Sequence, residues 1–303
     1  MIRKFLVLSL GILVLNSCPE LINKIYAQEY KAEPNQITLD SLYRTKTYHS
    51  LKDIPKNIDS VFRLNLSNQN LKKLPPEIFD LVNLQELNVS QNSLSDLQGL
   101  EKLKKIQVLN IGMNDFQSFP NEITKLENLK ILKIWWNKIE TFPNDFYKNN
   151  KLVEELDMTS MFEFDFENNL NKIHLFENLR QLNLGNNQIP DLRIQFSKLK
   201  NLEVLGYIRQ DSIDLKELCI ELKNCSNLRT IHLSVNGIKE LPNEILLLEN
   251  LEELNLYKNQ IKTLPTDIVK MEKLKKISLI GNPIDENEIK EVEKQMPNTK
   301  IIY

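Results

Sequence analysis

Three histidines, His49, His174 and His232, and three cysteines, Cys18, Cys219 and Cys225, are the chain's whole supply of imidazole and thiol. Acid–base, nucleophilic and zinc sites commonly recruit such a group and hold it against a partner at a recognisable spacing. The histidines are far apart, and no His-Glu-x-x-His, Cys-x-x-Cys or Gly-x-Ser-x-Gly motif occurs. The 7 glycines are isolated, so no glycine loop is available to cradle a phosphate. The sequence therefore predicts no catalysis, no cofactor and no metal. His232 has the pKa range of a pH sensor, but no second ligand lies beside it at metal spacing, and it is read as a solvated side chain.

Charge narrows the partners. Lys and Arg total 39 against 41 Asp and Glu, a net charge of −2. Such a balance exerts no general pull on nucleic acid or anionic lipid. The length of 303 residues suits one elongated repeat domain or two compact ones.

The amino terminus has a composition of its own. Arg3 and Lys4 precede an apolar run from Phe5 to Leu15, too short to span a bilayer as a helix, which takes about 20 residues. It fits the apolar core of a secretory signal. Leu15-Asn16-Ser17-Cys18 follows and resembles a bacterial lipobox, which makes Cys18 the candidate lipidation site, anchored to a membrane only through that lipid. The alternative is cleavage after Ala27, farther from the apolar run, with Glu20 and Lys24 between. Residues 1–18 are thus assigned as signal and 19–38 as a polar tether. Export follows from either cleavage.

From Val61 onward the chain repeats itself. Units begin at Val61, Leu84, Ile106, Leu129, Val153, Leu179, Leu202, Leu228, Leu251 and Leu274, at spacings of 22 to 26 residues. The best-formed unit runs from Leu251 through Leu254, Leu256, Asn259, Ile261, Leu264 and Pro265 to Ile268, the pattern LxxLxLxxNxLxxLPxxI. Alternation at Leu254-Asn255-Leu256 has the period of a strand. Each unit exposes its few apolar side chains unless a neighbour covers them; stacked, they share one core, each buried Leu contributing about 1.5–3 kcal/mol. This pattern resembles the leucine-rich-repeat family in its short 23-residue bacterial form. The resemblance implies an α/β-type solenoid: a right-handed superhelix with a parallel concave sheet, about ten repeats over 61–284 and short 3-10 or irregular convex segments. It also implies a ladder of ninth-position amides (Asn92, Asn114, Asn137, Asn187, Asn236, Asn259, Asn282) bonding the backbone where each strand ends.

Residues 39–60 are assigned as an N-terminal cap on the first unit, and 285–303 as a helix-and-strand cap at the other end. Two units break the pattern: Met161 replaces the ninth-position Asn before Phe162, Phe164 and Phe166, and Gln210 replaces it before an insertion through Asn224-Cys225-Ser226. Changed curvature or bulging convex loops are expected near 160–175 and 215–227. Cys219 and Cys225 have the option of pairing outside the cytoplasm; because Cys219 takes an apolar repeat position, a buried free thiol is the preferred reading.

On such a solenoid the third, fifth, seventh and eighth residues of each unit face the concave wall. In the third and fourth units these include Val108, Met113, Ile131, Lys133, Trp135 and Trp136, an expected exposed patch with both tryptophans of the chain. Exposed aromatic clusters mark interaction sites, and Trp dominates binding energy where it is buried by a partner. The opposing reading is that an indole lies flat over neighbouring units and covers the core. A second set, Val204, Ile208, Arg209, His232, Tyr257 and Lys258, is spread along later units. The expected function is a non-catalytic scaffold, exported to the cell surface or secreted, that binds a protein ligand, a host being one source of it. The alternative is an envelope module binding cell-wall glycan or another envelope protein.

Overall fold

The computed structural model describes residues 36–187, 189, 196–210 and 213–303. The signal segment 1–18, Cys18, the site after Ala27 and most of the 19–38 tether lie outside the described residues.

Among the described residues, twelve short strands pair in parallel, in sequence order, to form one open sheet. They are β1 (Thr47–Tyr48), β2 (Arg63–Asn65), β3 (Glu86–Asn88), β4 (Val108–Asn110), β5 (Ile131–Lys133), β6 (Glu155–Asp157), β7 (Gln181–Asn183), β8 (Val204–Gly206), β9 (Thr230–His232), β10 (Glu253–Asn255), β11 (Lys276–Ser278) and β12 (Lys300–Ile302). Leu87, Leu109 and Leu132 stand side by side in register, as do Ile231, Leu254 and Ile277. One strand per unit from β2 to β11 forms the concave wall, and the inward leucines merge into a single continuous core. This row of parallel strands with short 3-10 turns is the solenoid that the repeat pattern implied.

Three recurring bonds turn each strand out of the sheet. At the fifth position, Asn65, Asn88, Asn110 and Asn255 accept from the N–H two residues on, at 2.9–3.0 Å, and Asp157 does the same. The eighth residue then enters the left-handed region: φ is 58° at Gln91, 54° at Met113, 55° at Trp136 and 61° at Val235. For a β-branched or bulky residue this is strained backbone. What holds it is an inter-unit bond, since the eighth N–H donates to the seventh carbonyl of the next unit, as in Met113 to Trp135 and Trp136 to Thr159. At the ninth position, Asn114 accepts from Leu94 N–H and donates to Val89 and Ile111 carbonyls. Buried backbone groups need such partners once strand pairing stops.

The two irregular units solve the same problem differently. Gln210 reaches where an Asn would, accepting from Ile189 N–H at 3.2 Å and donating to Leu184 O at 2.8 Å. Met161 supplies no amide, and its own N–H donates to Asn187 Oδ1. Where most units have a 3-10 turn, the regular fourth unit has α2 (Asn144–Asn149), and the two irregular units have α3 (Phe166–Asn169) and α4 (Leu215–Leu222) in the regions where bulges were expected. Cys219 on α4 and Cys225 just after it are buried free thiols, and burial pushes both up to about 12. They are inert at neutral pH.

At the C-terminal end, α5 (Glu286–Gln295) is capped by Asp285, which accepts from Asn287 and Glu288 N–H. It turns Ile289 and Met296 into the core before β12 closes the row. The charged second- and third-position pairs, Glu252-Glu253 and Lys275-Lys276, are more than a solvated surface. Glu252 meets Lys275 at 2.6 Å and Glu253 meets Lys276 at 2.5 Å across the strands. Opposite charges on neighbouring strands favour this register over a slipped one.

The N-terminal segment departs most from expectation. β1 pairs with β2, and Tyr48 joins the core of the repeats. The preceding helix α1 (Leu39–Tyr43), capped by Thr38, instead lies on the concave wall. Leu39 and Leu42 are buried there against Val108 and Ile131 in a cluster separate from the repeat core.

Candidate interaction surface

That placement divides the expected patch. Val108 and Ile131, read as exposed, are 7% and 1% accessible because α1 covers them. Positional logic placed them correctly on the concave wall but knew nothing of what lay over it.

Lys133 sits beside the covered pair and is engaged too. Its Nζ lies 2.9 Å from Glu155, a carboxylate almost wholly buried. The Glu155 charge raises the Lys133 pKa above its ordinary value, although burial opposes it. The next carboxylate, Asp157, is pushed up by burial, against the pull of Lys133 and of the Thr159 hydroxyl. The other side carries Arg63, paired with Glu86 at 2.6 Å. Tyr43 of α1 lies between these two pairs: its ring faces the Arg63 guanidinium at 5.2 Å, and burial and the two glutamates raise its phenol above the usual range. Removing Lys133 would strand the buried Glu155 carboxylate without its ion-pair partner.

Met113, Trp135 and Trp136 remain half-buried at the edge where the strands turn outward. Gly112 explains the seat of Trp135. A Cβ built on that glycine would run into the indole, so the ring lies against the backbone of the preceding unit. The nitrogen side of the indole is therefore packed against that backbone, while the side chain as a whole stays half-buried. Trp136 is turned out by its left-handed backbone and meets Phe162 edge-on, ring centres 5.7 Å apart. Phe162 is 51% exposed. It was not among the expected site residues; the signal that could have found it was the loss of the ninth-position Asn one residue earlier, where Met161 still donates to the ladder but contributes no amide to it. Met113, Trp135, Trp136 and Phe162 thus form an aromatic rim beside the covered wall.

The second set is not one patch. Val204 and Ile208 are buried at 8% and 9%. Lys258 is exposed with its ammonium 5.1 Å from the Tyr257 ring, and Arg209 is half-buried at φ 55°. His232 is half-buried rather than freely solvated, and its Nδ1 has no hydrogen-bond partner. Burial lowers its pKa, with Lys276 adding to the effect and Glu253 opposing it. The unfolded chain then takes up the proton before the folded chain does. Stability at this site is whole above the unfolded pKa of about 6.5 and is lost as pH falls below it. We expect the urea midpoint to fall between pH 7.5 and 5.5, and His232→Asn to remove part of that fall. An unchanged slope in the variant would exclude His232 as its source.

No group of three or more His, Cys, Asp or Glu side chains spaced for a metal occurs among the described residues. Among them, no helix is long and apolar enough to cross a membrane.

A leucine-rich-repeat family profile matches residues 60–116 and 226–284. No curated protein sequence is significantly similar to the chain. Solved structures are. An internalin from Listeria monocytogenes, 18% identical, aligns over 88% of this chain and 82% of its own with a TM-score of 0.56. A TDR receptor, 25% identical, aligns over 81% of this chain and 43% of its own with a TM-score of 0.53. A leucine-rich-repeat protein of Leptospira interrogans, 22% identical, aligns over 86% and 100% at a TM-score of 0.31. The internalin likeness is one of fold.

Proposed function

Taking as premise that the chain is a leucine-rich-repeat protein, we propose that it is an exported, non-catalytic scaffold that holds a protein ligand on the aromatic rim of Met113, Trp135, Trp136 and Phe162. The observation that carries this reading is the rim itself: two indoles and a phenyl ring kept partly in water at adjacent turns. A fold that only needed to cover its core would bury them, as it does every Phe from Phe116 to Phe196 except Phe162. Rigid rings with one free face lose little conformational freedom on binding and gain much from desolvation.

Trp135→Ala with Trp136→Ala is expected to weaken capture of the protein partner by about 2–4 kcal/mol while circular dichroism stays unchanged. Full capture by an intact variant would dismiss the rim. A glycan array run beside the protein capture decides the ligand class, because a sugar also stacks on an open indole face; signal on glycans alone would replace the protein reading.

Export is supported by the apolar run Phe5 to Leu15 and, for a lipid anchor, by Ser17-Cys18. Cys18→Ala should move the protein from the membrane fraction to the soluble exported fraction. An unchanged distribution would favour cleavage after Ala27.

A further inference from the structure

The concave wall under α1 differs from the rest of the sheet. In other units the third position, which faces outward, is mostly polar: Arg63, Glu86, Glu155, Gln181, Thr230, Glu253 and Lys276. Val108, Ile131 and Val204 are the aliphatic exceptions; only Val108 and Ile131 are adjacent, with a charged pair on either side, Arg63–Glu86 and Lys133–Glu155. A sheet face left in water gains nothing from two neighbouring aliphatics. They form a seat, and the chain fills it with Leu39 and Leu42, one helical turn apart.

Polar contacts clamp the main chain of the occupant at both ends. Gln107 Nε2 donates to the Ile37 carbonyl at 2.8 Å, and Arg63 Nη1 donates to the carbonyls of Tyr43 and Thr45 at 3.2 Å. These bonds read backbone position rather than identity, so any peptide in the same pose satisfies them. Side-chain selection falls to the two aliphatic positions and to the space between the charged pairs that holds Tyr43. The occupant has little hold of its own. α1 has five residues, too few to stand as an isolated helix, and only two of its side chains are fully buried on the wall. Its connection to β1 adds to these contacts, since a short tether supplies an effective concentration in the range of about millimolar.

We propose that the wall over β3–β6 is a seat for a short helical peptide presenting two aliphatic side chains one turn apart followed by an aromatic one, and that residues 37–45 occupy it in cis until such a segment displaces them. The partner on the rim is then a protein carrying that segment; in this the inference rests on the rim reading above.

The test uses the full chain and a labelled synthetic peptide with the sequence of residues 36–46. Leu39→Asp with Leu42→Asp expels the chain's own segment. The released chain is expected to bind the peptide at least about tenfold more tightly than the wild type does, and a peptide carrying the same two substitutions should bind neither. No binding to a folded released chain at millimolar peptide, or equal affinity for both chains, overturns the proposal. Should the double variant fail to fold, hydrogen exchange on the wild type decides. Amides of Leu42 and Thr45, bonded to the carbonyls of Thr38 and Leu42, should exchange at least about a hundredfold faster than those of β4 and β5; equal protection makes the segment an integral part of the fold and overturns displacement. Peptide binding that persists when Trp135→Ala and Trp136→Ala have abolished nothing in partner capture would sink the rim reading and leave the seat standing.

Discussion

Phe146→Ala is expected to cost about 3–5 kcal/mol of unfolding free energy and to divide one cooperative transition into two. Phe146 is fully buried on α2, with ring centres of Phe119 at 4.5 Å, Phe142 at 5.1 Å and Phe176 at 5.0 Å. These rings belong to three successive units, so the phenyl group joins neighbours as well as filling its own. Deleting it leaves a cavity that rigid aromatic walls cannot close. Stability in a solenoid is a sum of unit terms and nearest-neighbour terms, and here the loss falls on the neighbour terms in mid-array. The halves on either side should then melt at different urea concentrations. Trp135 and Trp136 report on the fourth unit by fluorescence, while circular dichroism reports the whole. Diverging midpoints from the two probes would show the split. Coincident midpoints with a loss under about 1 kcal/mol would mean that the ring cluster is not a coupling element. Val82→Ala, at a side chain 54% exposed, is the control and should change little.

How much of this was legible in the sequence depends on the range of the interaction. Stacking is local: Leu87, Leu109, Leu132 and Leu254 recur at the distance at which they touch, so the strands, their register and the shared core could be read directly. The amide ladder was legible for the same reason. What periodicity could not carry was the contact of α1 with the wall. Gln107 and Ile37 meet across 70 residues, and nothing in the repeat tells where a segment outside it will lie. Hence Val108 and Ile131 were placed on the right face and given the wrong exposure. The tight turn at the eighth position was hidden for another reason. Left-handed backbone usually announces itself by Gly or Asn. Here Met113, Trp136, Arg209 and Val235 adopt it because an inter-unit bond holds them there. Trp136 stands at this turn, half-buried and against Phe162, in a backbone conformation that residue types do not report.

The ladder also supplies the second large effect, at Asn259. Its Oδ1 accepts from Asn236 N–H at 2.9 Å and Ile238 N–H at 3.2 Å; its Nδ2 donates to the carbonyls of Leu233 and Leu256, both at 2.9 Å. The side chain is 5% accessible, so water is a poor substitute. Each buried backbone group left without a partner costs about 1–3 kcal/mol. Asn259→Ala leaves up to four, and with partial relief by an entering water we expect a loss of about 3–5 kcal/mol in urea denaturation. Two further variants separate hydrogen bonding from packing. Asn259→Leu fills the volume but bonds nothing, and should be at least as damaging as Ala. Asn259→Gln can do what Gln210 does in its own unit, with an acceptor and a donor on a longer arm, and should keep a large part of the stability. Asn259→Asp keeps the acceptor, loses both donated bonds and buries a charge, so its deficit should shrink as the pH is lowered toward the carboxylate range. If Leu proved milder than Gln, packing rather than hydrogen bonding would be what the ninth position supplies, and the need for its recurrence in seven units would have to be sought in the shape of the side chain instead.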